Sequence, residues 1–205
     1  MSDDLADYKH KRNFDKTGEP DARSRSMSRD QGQQGPLFVI QKHDASSLHY
    51  DLRLEIDETL KSWAVPKGPS TDPSDQRLAI PTEDHPLSYA DFEGVIPAGE
   101  YGAGTVLIWD RGHINNINVD ANGEPLSLHK AWARGKLEFF VHGNKLNGGY
   151  ALIRSDKGSM KGNWLLTKIR DEHADARRNP VSTETTSVVT GRSLKQIKDD
   201  EGRKQ

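Results

Sequence analysis

The chain of 205 residues contains no cysteine, which excludes disulfide scaffolds, thiol nucleophiles and thiolate metal sites. Long apolar runs are missing too. None approaches the roughly 18 residues that a membrane-spanning helix needs, and no apolar stretch follows the charged start MSDDLADYKHKRNF, where a secretory signal would carry one. The expectation is a soluble, cytoplasmic protein with no membrane contact. Nor does one sign of charge dominate: 29 Lys and Arg stand against 31 Asp and Glu. Residues 1–36 hold seven of each sign, and so do residues 171–205. A chain without a basic tail is not built for diffuse attraction to long nucleic acid. Any nucleic acid would be gripped at a small site, by a few Arg or Lys or by a metal. Apolar residues make up only 33% of the chain and mean hydropathy is −0.84. What is present in quantity is aromatic: four Trp, five Tyr and five Phe are enough to seed a core.

The length is that of one ordinary domain with loose ends. Residues 21–36 (DARSRSMSRDQGQQGP) are polar and end in Gly-Pro, so residues 1–36 read as an N-terminal arm and linker. From Pro180 onward Ser and Thr cluster and large apolar groups thin out. Residues 173–205 are therefore expected to form a mostly disordered tail, with a helical turn near Ser193–Lys198. That leaves a compact domain over residues 37–172. Its signal is strand. Leu48, Tyr50, Leu52, Leu54 and Ile56 alternate with His49, Asp51, Arg53 and Glu55, a period of two over nine residues that marks a half-buried strand. Other strands are expected at Leu37–Ile40, Leu60–Val65, Arg77–Ile80, Thr105–Asp110, Lys136–His142, Tyr150–Ser155 and Trp164–Ile169, with Gly, Asn and Pro between them. Ser127–Ala133 is the one fair helix. Many short strands with turn signals predict a mainly β protein, a compact β-barrel with short flanking helices.

Chemistry concentrates in Gln41–Arg53. On a strand, His49, Asp51 and Arg53 project from one face at intervals of about 6.5 Å, and His43 lies one loop earlier. Two imidazoles and a carboxylate can hold a divalent transition metal and leave positions open for water. Arg53 beside them is suited to gripping a phosphate with two N–H groups. The plain alternative is a polar strand face that is merely solvated. A second polar cluster, Thr82–Tyr89, places His85 and Tyr89 in what reads as a Pro-containing loop, where functional side chains are often displayed. The stretch Gly99–Thr105 is glycine-rich but lacks the Gly-Lys-Ser/Thr of a phosphate-binding loop, and reads as a tight turn entering a strand. His113, His129, His142 and His173 have no defensible partner spacing, and the four Trp read as packing. His49-x-Asp51 with a distant His also fits the facial triad of a mononuclear iron oxygenase, although that leaves Arg53, His43 and Tyr89 without a shared purpose.

Five ordered segments carry a resemblance: Phe38–Ser46, Leu48–Glu55, Trp63–Pro69, Asp84–Tyr89 and Phe92–Pro97. Together they resemble the 3′-phosphoesterase domain of bacterial DNA ligase D, in order from about residue 5 to residue 172. No ligase or polymerase domain fits this length, so a free-standing version is expected. The resemblance implies a β-barrel and manganese-dependent trimming of DNA 3′ ends during nonhomologous end joining. A 3′-terminal ribonucleoside is removed to leave a 3′-phosphate, which is then hydrolysed to a 3′-hydroxyl. By motif match the Mn²⁺ ligands are His43, His49 and Asp51. Arg53, His85 and Tyr89 surround the scissile phosphate, and Gln41, Lys67 and Arg77 line the site. Arg12, Asn13 and Glu19 match the family's arm residues, with Asn13 standing where the family has Asp. The implied substrates are DNA 3′ ends, primer–templates bearing a 3′-ribonucleotide or 3′-phosphate, and the implied partners are a DNA ligase, a polymerase or a Ku-like protein. A non-enzymatic DNA-end binding module is the alternative of another class.

Overall fold

Short apolar segments punctuated by Gly, Asn and Pro become strands along most of the chain. The computed structural model describes residues 5–21 and 35–202. Its strands are β1 (Leu37–Asp44), β2 (Leu48–Ile56), β3 (Thr59–Val65), β4 (Gln76–Pro86), β5 (Gly94–Ile96), β6 (Gly104–Asn116), β7 (Lys136–Gly143), β8 (Asn147–Arg154) and β9 (Trp164–Lys168). The helices are short: α1 (Ala6–His10), α2 (Leu128–Arg134), α3 (Pro180–Thr183) and α4 (Leu194–Gly202). None is long and apolar enough to cross a membrane.

The sheet order runs β1-β2-β3-β4-β9-β8-β7-β6, and β1 pairs again with β6, so eight antiparallel strands close into a barrel; β5 pairs with the start of β6. Closure leaves no unpaired edge among these eight strands. Asp57 and Glu58, both at positive φ, turn β2 into β3 as a two-residue hairpin loop. Ser127 caps α2, its hydroxyl accepting from the Lys130 N–H, and Gly135 at φ 82° ends it.

Alternation along each strand sorts side chains into two layers. One cluster gathers Phe38, Ile40, Leu52, Leu54, Trp63, Leu107, Trp109, Phe139 and Leu152, from strands all round the ring, and fills the barrel interior. A second, with Tyr8, Val39, Leu60, Tyr89, Phe92, Val106 and Ile108, lies on the outside of β1, β3 and β6. There α1 and the 3-10 segment Leu87–Asp91 press down on the wall.

All eight expected strands are present, and the expected helix is α2. One alternative is set aside and two expectations are corrected. The polar face of β2 is not solvated: Asp51, Arg53 and Glu55 are 6%, 3% and 7% exposed, with Arg12 of the arm and Tyr89 of the 3-10 segment set around Asp51 and Arg53. His85 is not in a loop: β4 continues to Pro86, whose pairing with Thr59 carries His85 opposite Leu60. The tail is not mostly disordered over its described residues 173–202. Ile197 of α4 is fully buried against the interior cluster, Val188 N–H bonds to Ile108 carbonyl, and Trp109 Nε1 donates to the Glu184 carbonyl. Sparse apolar side chains suffice there because hydrogen bonds between the barrel and backbone groups of the segment hold it between them. Most of the expected linker, residues 22–34, lies outside the described residues.

Candidate active site

The β1–β2 register sets Gln41 opposite Asp51 and His43 opposite His49. Period-two alternation aims all four, with Arg53, at the outer face beneath the arm. Ligand atoms of His43, His49 and Asp51 lie within 4.8 Å of one another. Each imidazole is oriented by a carbonyl, which can only accept, so the nitrogen facing it carries the proton. His43 Nε2–H donates to the Gly102 carbonyl at 2.9 Å, turning Nδ1 toward Asp51 Oδ2 at 3.5 Å. His49 Nδ1–H donates to the Ser47 carbonyl at 2.8 Å, turning Nε2 toward Asp51 Oδ1 at 3.6 Å. Both free lone pairs therefore converge on the carboxylate, the arrangement that outer hydrogen bonds impose on metal-binding histidines. Burial alone would raise the Asp51 pKa, but the charge of Arg53 beside it holds it below the usual carboxylate range. Two imidazoles and an ionised carboxylate fit a divalent transition metal.

Two buried guanidiniums flank this cluster. Arg53 donates from Nε to Gln41 Oε1 at 2.8 Å, from Nη1 to Ser62 Oγ at 2.9 Å and from Nη2 to Asp51 Oδ2 at 3.3 Å. Gln41 in turn donates to the Tyr89 and Phe92 carbonyls, so it is locked between the 3-10 segment and Arg53. Arg12, carried in by the arm, donates from Nε to Glu19 at 2.9 Å and from Nη1 to Glu83 at 3.0 Å, and lies 4.0 Å from the Tyr8 ring centre. Tyr89 donates its hydroxyl to the same Glu19 oxygen at 2.9 Å. Burial first, and the Glu19 charge next, push Tyr89 well above an ordinary phenol.

His85 sits between the two arginines. Its Nε2 lone pair accepts from Arg12 Nη2–H at 3.1 Å, while Nδ1 lies 2.8 Å from the Glu83 carbonyl and 2.9 Å from Arg53 Nη1. Burial, then the charges of Arg53 and Arg12, press its pKa well below the usual value, so the ring is neutral at pH 7. Burial works against ionisation of Glu83, but its hydrogen bonds to backbone and Arg12 outweigh it and keep the carboxylate charged.

Together these groups enclose a pocket of about 200 Å³, walled by the His43–His49–Asp51 cluster, both arginines, His85 and Tyr89. A larger cleft of about 620 Å³ opens beside Asp57 and His129, but its walls carry no Arg or Lys to meet a phosphate. Glu19 and Gln41 act on the pocket through the arginines they hold. Lys67 and Arg77 are not brought to it: Lys67 is exposed in the turn after β3, and Arg77 is engaged by Asp75 at 2.6 Å. Asn13 is exposed, its Oδ1 accepting from the Asp15 N–H at 3.2 Å within its own turn. Sequence reasoning missed Glu83, Ser62 and Tyr101. Glu83 stands two residues before His85 and would have been found had residues 82–86 been read as strand; Ser62 and Tyr101 carry no local signal.

A family model described as the DNA ligase D 3′-phosphoesterase domain matches residues 41–154. The multifunctional non-homologous end joining protein LigD of Pseudomonas aeruginosa is 46% identical over 193 residues, covering 93% of this chain and 22% of that protein. The multifunctional non-homologous end joining DNA repair protein LigD of Mycobacterium tuberculosis is 41% identical over 172 residues, 84% of this chain and 20% of the relative. The chain thus spans about a fifth of the length of the curated relatives it matches.

Proposed function

We infer that this chain, which belongs to the DNA ligase D 3′-phosphoesterase domain family, is a manganese-dependent hydrolase that processes DNA 3′ ends in nonhomologous end joining. It removes a 3′-terminal ribonucleoside to leave a 3′-phosphate, then hydrolyses that phosphate to a 3′-hydroxyl. The observation that carries this reading is the convergence of a His43–His49–Asp51 cluster and two buried arginines on one pocket of about 200 Å³. Residues 1–36 serve as an arm that completes the pocket, residues 37–172 as the barrel, and residues 173–205 as a C-terminal segment. The protein acts in the cytoplasm on primer–templates ending in a ribonucleotide or a phosphate, alongside a DNA ligase, a polymerase or a Ku-like protein.

His43, His49 and Asp51 would hold the Mn²⁺, which supplies Lewis-acid neutralisation of phosphoryl oxygens and an activated water. The chain's own residues do the rest. Arg53, fixed by Gln41 and Ser62, presents N–H groups to the phosphoryl oxygens where charge builds in the transition state. Arg12 closes the pocket from the arm side, steered by Glu19 and Glu83. A phosphoryl dianion between the arginines offsets the charges that keep His85 neutral. His85 can then take up a proton at Nε2 and pass it to the leaving oxygen.

The test is a primer–template with a single 3′-ribonucleotide, incubated with Mn²⁺. The expected outcome is stepwise conversion to 3′-phosphate and 3′-hydroxyl ends. Chelation should stop it, and Mn²⁺ should restore it better than Mg²⁺, because imidazole ligands suit the softer ion. Binding without product would replace the enzyme by a DNA-end binding module. Neither binding nor product would reopen the iron oxygenase reading.

A further inference from the structure

The pocket that holds the His43–His49–Asp51 cluster opens to solvent on one side, where the arm and the Gly99–Thr105 turn border it. A nucleoside attached to a phosphate bound against His43, His49 and Asp51 extends toward that open side. Tyr101 stands there. It is 49% exposed, it borders the pocket, and no other Phe, Tyr or Trp among the described residues is exposed.

The loop that carries Tyr101 is tied to the site on both sides. The Glu100 N–H donates to the Pro97 carbonyl and the Ala103 N–H to the Glu100 carbonyl, closing two successive turns. Gly102, at φ 76°, offers its carbonyl to His43 Nε2–H, so the residue after Tyr101 orients a metal-site imidazole. From the arm, Lys11 Nζ lies 4.9 Å from the Tyr101 ring centre and Arg12 lies 5.7 Å from it, while the hydroxyl reaches Glu83 Oε2 at 3.4 Å. The ring is thus held beside the cluster, with about half of its surface open to solvent. Every nucleobase has a π-face that such a ring can meet without reading sequence.

We propose that Tyr101 is the platform on which the base of the strand's 3′-terminal nucleoside stacks, so that it positions a DNA end and sets the preference for nucleic acid over simple phosphate esters. This rests on the reading of the pocket as a DNA 3′-end site. Wild type, Tyr101→Ala, Tyr101→Phe and Tyr101→Trp are compared on two 3′-phosphate oligonucleotides, one with a normal terminal nucleoside and one abasic at that position. Tyr101→Ala should raise KM on the base-bearing end about tenfold, about 1.4 kcal/mol, with kcat within about threefold, the pattern of lost ground-state binding. On the abasic end it should match wild type. Tyr101→Phe should behave as wild type, showing that the ring and not the Glu83 contact matters, and Tyr101→Trp should bind at least as well. Wild-type KM for Tyr101→Ala on both ends, or an equal loss of kcat on both, overturns the proposal.

Fluorescence anisotropy of the same oligonucleotides in a chelator separates this from the hydrolytic reading. If wild type binds the base-bearing end more tightly than Tyr101→Ala in the chelator, yet makes no product when Mn²⁺ is supplied, stacking stands and the hydrolase falls. Equal binding by the two proteins overturns stacking whether or not product forms.

Discussion

The inner and outer faces of β2 are both buried, and by different means. Inward, Tyr50, Leu52, Leu54 and Ile56 are at most 4% exposed and meet other apolar side chains. Outward, Asp51, Arg53 and Glu55 are at most 7% exposed and meet partners of opposite charge or hydrogen-bonding groups. Asp51 faces Arg53 and two imidazoles, and Glu55 accepts the Leu37 N–H at 2.8 Å. Non-directional burial tolerates rearrangement, whereas a buried charge needs each of its partners in place. One strand therefore divides labour between its two faces: the inner holds the barrel together and the outer holds chemistry at a defined geometry.

Two substitutions on opposite layers break that comparison most sharply. His49 is partly exposed, and its ring meets the Ser47 carbonyl, Asp51 and the neighbouring His43 ring. His49→Ala should cut turnover by a thousandfold or more, about 4 kcal/mol in barrier, while Tm moves little. Trp63 is 1% exposed in the interior, edge-on to Trp164 at 5.5 Å. Trp63→Ala should cost about 3–5 kcal/mol of stability, lowering Tm by roughly 6–20 °C in a protein of this size. The protein that stays folded at the assay temperature should keep Mn²⁺-dependent activity. Thermal melts and rates on a 3′-phosphate end check both arms; an active His49→Ala in chelator, or a thermally unchanged Trp63→Ala, would mean that the layers are not divided as described.

Arg53→Lys sharpens the outer face alone. The guanidinium donates through three nitrogens to Gln41, Ser62 and Asp51, and an ammonium on a flexible stem cannot satisfy all three while also gripping a phosphate. Turnover should fall about a hundredfold, about 2.7 kcal/mol, although the charge is kept. If the Lys variant turns over like wild type, Arg53 supports the wall and takes no part in the reaction.

The same division explains what could be read from the sequence. Nine residues of strict alternation place β2 at Leu48–Ile56 with its observed limits, because a pleat is a local property. That the polar side would be covered is not local: the cover comes from Tyr8 and from Leu87–Asp91, each more than 30 residues away. Leu48, counted with the apolar side, is 47% exposed because it sits at the open end of the hairpin. The His43–His49–Asp51 cluster was legible since hairpin register follows from the alternation. The C-terminal strap was legible only in part. The helical turn expected at Ser193–Lys198 is α4, which sets Leu194 and Ile197 one turn apart, but the anchors Val181 and Val188 are isolated side chains without a period, and hydrogen bonds to the barrel do the rest. Lys67 and Arg77 were placed by resemblance alone, and the observed geometry sets both apart from the pocket.

The smallest effect is expected at Asn13, where the family has Asp. Its Oδ1 accepts the Asp15 N–H, and its carbonyl accepts the Lys16 and Thr17 N–H groups at 3.0 and 3.1 Å, closing the turn that connects Arg12 to Glu19. A carboxylate oxygen accepts the same backbone bond as an amide oxygen. The side chain's work is thus to shape the turn so that Arg12 and Glu19 meet at 2.9 Å over Tyr89, and neither residue type at position 13 need exchange a proton with substrate. Asn13→Asp should accordingly change the rate of each hydrolytic step by less than about tenfold, about 1.4 kcal/mol in barrier. Deleting residues 1–20 should cost far more, because it removes Arg12 and Glu19 and uncovers His85. Single-turnover rates, measured separately on a 3′-ribonucleotide and a 3′-phosphate end, decide it. A large gain in only one step would show that the position exchanges protons with substrate, and that with Asn13 the protein is specialised for the other step.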